Sequence, residues 1–184
     1  MKQFVFLLSV AFLLPLQALD LVIPDQPHEY EKLAATELKE ALLLGGYKDP
    51  VEIKSKKDAV SPAIFFGKAF AVGQLPQKPE SWSIRNRNKD LVIAGNTPIG
   101  TLYGCYALLR NLGVWYIAWD ETVIPDLSKF RIPTVATEGA PAFMGRQMFN
   151  RYPNIFRDFR AKGSDAKFWR YYLRNLFKIG RAHV

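Results

Sequence analysis

Arg146 stands inside an apolar alternation, Ala142-Phe143-Met144-Gly145-Arg146-Gln147-Met148-Phe149. A guanidinium there offers several fixed donors that match hydroxyls or a carboxylate. An equally weighted alternative pairs Arg146 with an acid that is not part of this sequence, a structural role. Acid–base hydrolysis by paired carboxyls needs two such groups facing one another across the bond to be broken, one of them kept protonated. The candidates here do not form such a pair. Asp120 and Glu121 are adjacent, so in an extended segment they point to opposite sides. Asp158 and Asp165 are surrounded by Arg and Lys, which lower a carboxyl pKa rather than raise it. No catalytic residue is assigned. Cys105 is the single cysteine, and the histidines are His28 and His183. That set supplies neither an internal disulfide nor zinc ligands, so no metal and no cofactor are expected. Cys105 reads as a small apolar helix residue.

A run of aromatics, Trp115-Tyr116-Ile117-Ala118-Trp119, presents flat faces suited to the C–H faces of sugar rings. The favoured reading is an apolar seam against another domain. The run follows a well-punctuated helix. Thr97 serves as N-cap and Pro98 as first helical residue. Leu102, Cys105, Tyr106, Leu109 and Leu112 then make one stripe, and Gly113 ends it. Gly100 and Gly104 lie on a neighbouring face, where they permit close approach of another element or are tolerated surface residues.

The rest of the chain supplies strands and one more helix. Leu19 to Ile23 is a short buried strand ended by Pro24. A helix follows, capped by Asp25 or Gln26 with Pro27 in its first turn, with Leu33, Leu38 and Leu42 inward and Gly45-Gly46 as its stop. Val51 to Lys54 alternates like a half-exposed strand, and Ala63 to Phe66 is a continuous apolar strand closed by Gly67. Residues 68–81 read as a surface connection with room for a helical turn near Ala69. Trp82 to Asn86 and Leu91 to Ala94 form a hairpin about Arg87-Asn88-Lys89-Asp90, with Trp82 and Ile84 on one side. Leu127 to Pro133 is expected to add an edge strand or cross to a next domain. The order of elements is α+β: a mixed sheet with two helices packed on one face.

The pattern Ala94-Gly95, Gly100-Thr101-Leu102-Tyr103-Gly104, Leu112-Gly113, the aromatic run and Val123-Ile124-Pro125 resembles the N-terminal domain that precedes the catalytic barrel in secreted glycoside hydrolases. The similar types are the alpha-glucuronidases of glycoside hydrolase family 67 and the beta-hexosaminidases. The resemblance spans about Asp20 to about Phe149. It implies an accessory domain over residues 19–138, followed over 139–178 by the first β/α unit of an incomplete (β/α)8 barrel. In the resembled enzymes a Pro-aromatic-x-x-Arg segment is the first barrel strand, and its Arg reaches the sugar. On that resemblance Arg146 binds substrate, the partner is a carbohydrate held by the rest of the barrel, and the catalytic acids lie beyond this sequence. Gln147-Met148-Phe149-Asn150 departs from the pattern common there. A non-catalytic carbohydrate-binding or scaffold module is the alternative.

Charge excludes one class. The net charge is +8, but residues 1–145 hold 15 Lys and Arg against 15 Asp and Glu, and residues 146–184 hold 10 against 2. The basic excess is confined to the end, where Arg151, Arg157, Lys167 and Arg170 interleave with aromatics. That pattern fits a phosphate-and-stacking surface, but the neutral remainder and the leader-like start argue against a nucleic-acid partner. Asp165 to Phe177 reads as a helix with Phe168, Tyr171, Tyr172 and Leu176 as its stripe.

Lys2, the apolar run Phe4–Leu14 and Leu16-Gln17-Ala18 have the form of a secretory signal peptide over residues 1–18, pointing to a secreted or periplasmic protein. An 11-residue apolar run is too short to span a bilayer, so no membrane anchor is expected. Ile179-Gly180-Arg181-Ala182-His183-Val184 is what the start of a common sequencing adapter encodes, so residues 179–184 are expected to be read-through.

Overall fold

The computed structural model describes residues 18–117 and 122–141. The leader-like start, Asp120 and Glu121, the barrel unit with Arg146, the helix expected at 165–177 and residues 179–184 lie outside the described residues.

Strand β1 (Leu19–Ile23) leads into helix α1 (Glu29–Leu44), then β2 (Val51–Ser55) and β3 (Ala63–Phe66). The hairpin β4 (Trp82–Arg87) and β5 (Asp90–Gly95) follows, then helix α2 (Pro98–Asn111). A short ribbon, β6 (Trp115–Tyr116) and β7 (Thr122–Val123), precedes the last strand, β8 (Ala136–Gly139). The main sheet has six strands in the order β2-β1-β3-β5-β4-β8. β1, β2, β3 and β5 pair in parallel, while β4 pairs antiparallel with β5 and with β8. A mixed sheet with two helices is therefore the described architecture.

Alternation along each strand sorts the side chains onto two faces. Leu19, Leu21, Ile64, Phe66, Ile84, Leu91 and Ile93 join one core with Leu38 and Leu42 of α1 and Leu102, Cys105 and Leu109 of α2. Both helices thus cover the same face. Val22, Ala63, Phe65, Val92 and Ala94 point the other way and form a second cluster, closed by Phe70, Ala71, Val72 and Leu75 of the connection after β3. Residues 68–81 are therefore more than a surface crossing. Their 3₁₀ turn, Lys68–Phe70, drives Phe70 edge-on against Phe65, with ring centroids 5.2 Å apart.

The glycines of α2 are packing positions. Both are buried. A Cβ on Gly100 would sit 2.5 Å from the Ser81 carbonyl oxygen, and one on Gly104 2.8 Å from Ile93 Cγ2. The helix backbone lies directly on the hairpin because those side chains are missing.

Three local expectations are corrected. α1 is capped not by Asp25 or Gln26 but by His28, whose Nδ1 accepts from the Tyr30 N–H at 3.2 Å, while Glu31 Oε2 accepts from the His28 N–H at 2.9 Å. The reciprocal bonding of a capping box satisfies two donors at once, which a lone Asp25 two residues earlier does not offer. Pro27 then precedes the cap instead of occupying the first turn. The edge strand is Ala136–Gly139, not Leu127 to Pro133. Leu127 and Phe130 instead turn inward to the core, and the Leu127 N–H donates to the Gly45 carbonyl at 2.7 Å. Finally, β4 extends one residue further than expected, to Arg87, and β5 one residue further at each end, to Asp90 and Gly95, leaving Asn88-Lys89 as the loop. Asn88 has φ 58°, a left-handed conformation that Asn tolerates better than most residues.

Candidate functional site

Two of the buried acids, Asp20 and Glu31, serve the architecture of the domain. Asp20, 1% exposed on β1, accepts from the Val60 N–H at 2.7 Å and pairs with Lys54 Nζ of β2 at 2.9 Å. Lys54 also reaches Glu52 at 3.0 Å. Hydrogen bonding to Asp20, then to Glu52, holds the Lys54 ammonium above its ordinary pKa of 10.5. Glu31 completes the cap of α1. Among the described residues no group of three or more His, Cys, Asp or Glu is arranged to hold a metal ion. Cys105 is buried, with Sγ 3.1 Å from the Ala34 carbonyl oxygen of α1, so it packs the two helices together.

Open sheets with parallel strands bind ligands outside the carboxyl ends of the strands, where the strand order reverses. Here the reversal lies between β1 and β3, since β1 is followed in sequence by β2 on one side and in space by β3 on the other. That crevice is filled by the chain itself. Gly67, just past β3, has φ 124°, and a Cβ there would fall 2.6 Å from Glu31 Oε1 and 3.1 Å from Pro24 Cγ.

One strand further along, at the carboxyl ends of β3 and β5, a pocket of about 280 Å³ remains open. Lys68, Gln77 and Asn96 are its polar lining, and Ala71, Leu75 and Pro76 its apolar wall, with Gly73 at its side. The sequence places these residues locally. Lys68 follows the Gly67 that ends β3, and Asn96 follows the Gly95 that ends β5. The connection over them is held down by hydrogen bonds: Ser81 Oγ to the Pro76 carbonyl at 2.6 Å, Asn96 N–H to the Ser81 carbonyl at 3.0 Å, and the Asn96 amide nitrogen to the Lys78 carbonyl. The Asn96 amide oxygen is buried and takes no hydrogen bond among the described residues. Sequence reasoning missed this pocket, because residues 68–81 carry only the turn signals of Gly73, Pro76 and Pro79. An Asn directly before a Thr-Pro helix start, facing a Gln-rich turn, was the one available sign.

The aromatic run divides by register. Trp115 stands opposite Val123, and Tyr116 opposite Thr122. Tyr116 packs edge-on against Tyr106 of α2 at 5.8 Å. On the opposite face of the ribbon Trp115 and Val123 stand half-exposed, beside exposed Ile117, and the Arg110 guanidinium lies 5.5 Å from the Trp115 ring centre. Ala118 and Trp119 lie outside the described residues, as does Arg146, the residue singled out from the sequence as a substrate contact.

No protein-family model matches the chain, and no curated protein matches it. Among solved structures, a family GH115 4-O-methyl-alpha-glucuronidase with specificity for decorated arabinogalactans is similar over 89% of this chain and 24% of that chain, at 15% identity and a TM-score of 0.56. A GH138 enzyme targeting pectin rhamnogalacturonan II is similar over 52% of this chain and 9% of its own, at 22% identity and a TM-score of 0.39. The chain thus spans about a quarter of the first enzyme's length and about a tenth of the second's. The GH115 likeness shows a shared fold: the sheet with its two helices is an architecture also found within a glycoside hydrolase.

Proposed function

We propose that the chain carries the N-terminal accessory domain of a secreted glycoside hydrolase of the alpha-glucuronidase or beta-hexosaminidase kind, followed from about residue 139 by the first unit of its (β/α)8 barrel. The supporting observation is the pattern of coverage: the fold shared with the GH115 enzyme takes in 89% of this chain but only 24% of that larger one. A domain in which buried Asp20 is engaged in an ion pair and buried Glu31 in a helix cap fits a role beside the chemistry rather than in it. Arg146, on the first barrel strand, contacts the sugar, because barrel active sites gather at the carboxyl ends of their strands. The catalytic acids come from later strands. The outward face of the β6–β7 ribbon, Trp115 with Val123, is the seam against the barrel.

The test is hydrolysis of aryl uronides and aryl hexosaminides by the product of the complete reading frame. Release of the aryl alcohol from one of them, reduced at least about tenfold by Arg146→Ala, is expected for a residue contacting the sugar. Inactivity on both classes, with a natural stop codon near Phe177, would overturn the enzyme reading.

A further inference from the structure

We infer that the open edge of β2 is self-complementary, so that two copies of this chain join edge to edge, antiparallel about a two-fold axis at Ile53, into one continuous sheet. Such an interface is isologous: the same strand serves on both sides.

β2 is the terminal strand of the described sheet, and a terminal strand presents unpaired N–H and C=O groups to any strand that can pair with it. The ladder fixes which groups those are. The Leu19 N–H donates to the Pro50 carbonyl at 2.7 Å, and Leu19 stands opposite Val51 in a parallel pair. Alternate residues bond to one neighbour, so Glu52 and Lys54 face β1 with their backbone groups, while Val51, Ile53 and Ser55 turn theirs outward. An antiparallel partner exchanges both bonds with each outward residue, and the residues between them then bring their side chains closest. About a two-fold axis at Ile53, that residue faces its own copy, Val51 faces Ser55 of the partner subunit, and Glu52 faces Lys54 of the partner subunit. Opposite charges thus fall on the close positions, where cross-strand pairs stabilise a sheet. Moving the axis to Glu52 or to Lys54 opposes like charges instead. A lysine on an edge ordinarily discourages pairing, but Lys54 is already turned onto Asp20 at 2.9 Å and its own Glu52 at 3.0 Å. Its ammonium keeps a third donor for Glu52 of the partner subunit. On the other face of the strand the two Ile53 side chains, each 37% exposed, meet at the axis. The opposite edge of the sheet, β8, has no such match: a two-fold about Glu138 opposes two carboxylates, and one about Thr137 sets Glu138 against Ala136.

The experiment is sedimentation equilibrium of the full 184-residue chain from about 1 to about 200 μM, because a five-residue edge makes a small interface with an expected Kd of about 10–100 μM. The average mass should rise with concentration from 21.0 kDa toward twice that value. Glu52→Lys sets like charges opposite one another and should weaken the dimer at least about tenfold. Ile53→Pro removes an N–H that points away from β1, a change edge strands tolerate, and should abolish association over this range. Glu52 is exposed, so its variant reads the edge even where the proline perturbs the strand, and an unchanged circular dichroism spectrum verifies its fold. Trp115→Ser, on the exposed face of the β6–β7 ribbon, is the control and should leave the mass curve as it is. A monomer throughout the range overturns the inference. So does a dimer that survives both edge substitutions, or one that Trp115→Ser dissociates.

Discussion

The amide of Gly95, the last residue of β5, donates to the hydroxyl of Thr101, in the first turn of α2, at 3.0 Å. Thr101 is fully buried, and a Cβ at Gly95 would collide with the Thr101 and Gly100 backbone. Strand end and helix start are thereby locked together directly beneath Asn96. Thr101→Val keeps the shape but leaves the Gly95 donor buried without a partner, at an expected cost of about 1–3 kcal/mol. Thr101→Ser keeps the acceptor and should cost less. Urea denaturation of the two variants checks this, and a Val variant as stable as the Ser variant would refute the lock.

At Gly104 two effects compete. Alanine favours the helix by about 1 kcal/mol over glycine, while its methyl would stand 2.8 Å from Ile93 Cγ2. Overpacking a close-packed core costs about 1–3 kcal/mol, so Gly104→Ala is expected to be net destabilising. Combining it with Ile93→Ala should cost less than the sum of the two singles, because the second substitution vacates the space the first needs. Strict additivity in thermal melts would mean that the contact is relieved elsewhere.

Lys54 links β2 to β1 through Asp20. Its pKa is raised above 10.5, first by hydrogen bonding to Asp20. A group whose folded pKa lies above its unfolded value stabilises the fold below the unfolded pKa, and that contribution disappears as pH rises through the folded one. The denaturation midpoint should therefore hold to about pH 9 and drop above about pH 10.5, more steeply than in Lys54→Met. Parallel curves for the two proteins between about pH 9 and 12 would show that the pair contributes nothing.

The cap of α1 predicts a contrast between two substitutions of Glu31. Glu31→Gln retains an acceptor for the His28 N–H and should be mild, whereas Glu31→Ala removes half of the capping box and should cost about 1 kcal/mol. Guanidinium midpoints for both variants give the comparison. Equal losses would mean that the carboxylate charge in the first turn, which both substitutions remove, matters more than the hydrogen bond to the His28 N–H.

The exposed ribbon face gives a last expectation. Trp115 is 49% exposed, so Trp115→Ser should change the stability of the domain by less than about 1 kcal/mol. A larger loss in thermal denaturation would show Trp115 to be part of the core, and so unavailable as a seam.

Much of the fold was legible in short windows of sequence. Thr97-Pro98 and Gly113 bound α2 within a residue, and Thr97 does accept from the Gly100 N–H. The alternation of Trp82 and Ile84 gave the side of the hairpin that meets the helices. Such features depend on neighbours one to four residues away, and their energetics are contained in the local pattern. The cap at His28 escaped because it depends on a reciprocal bond to Glu31 rather than on residue type alone. The aromatic run gave its composition but not which rings face outward, since that is set by the ribbon's register.

By itself the sequence determined two helices with their apolar stripes, three strands and a two-stranded hairpin, and an α+β order. The tertiary structure alone decided the strand order β2-β1-β3-β5-β4-β8, the placement of residues 136–139 as the edge, the blocking of the β1–β3 crevice by Glu31, and the pocket beside it. These are pairings between residues tens of positions apart, such as Arg85 with Glu138 at 2.9 Å and Asn96 with Lys78. Their free energy exists only once distant surfaces have closed on one another, so no local window of the chain contains it.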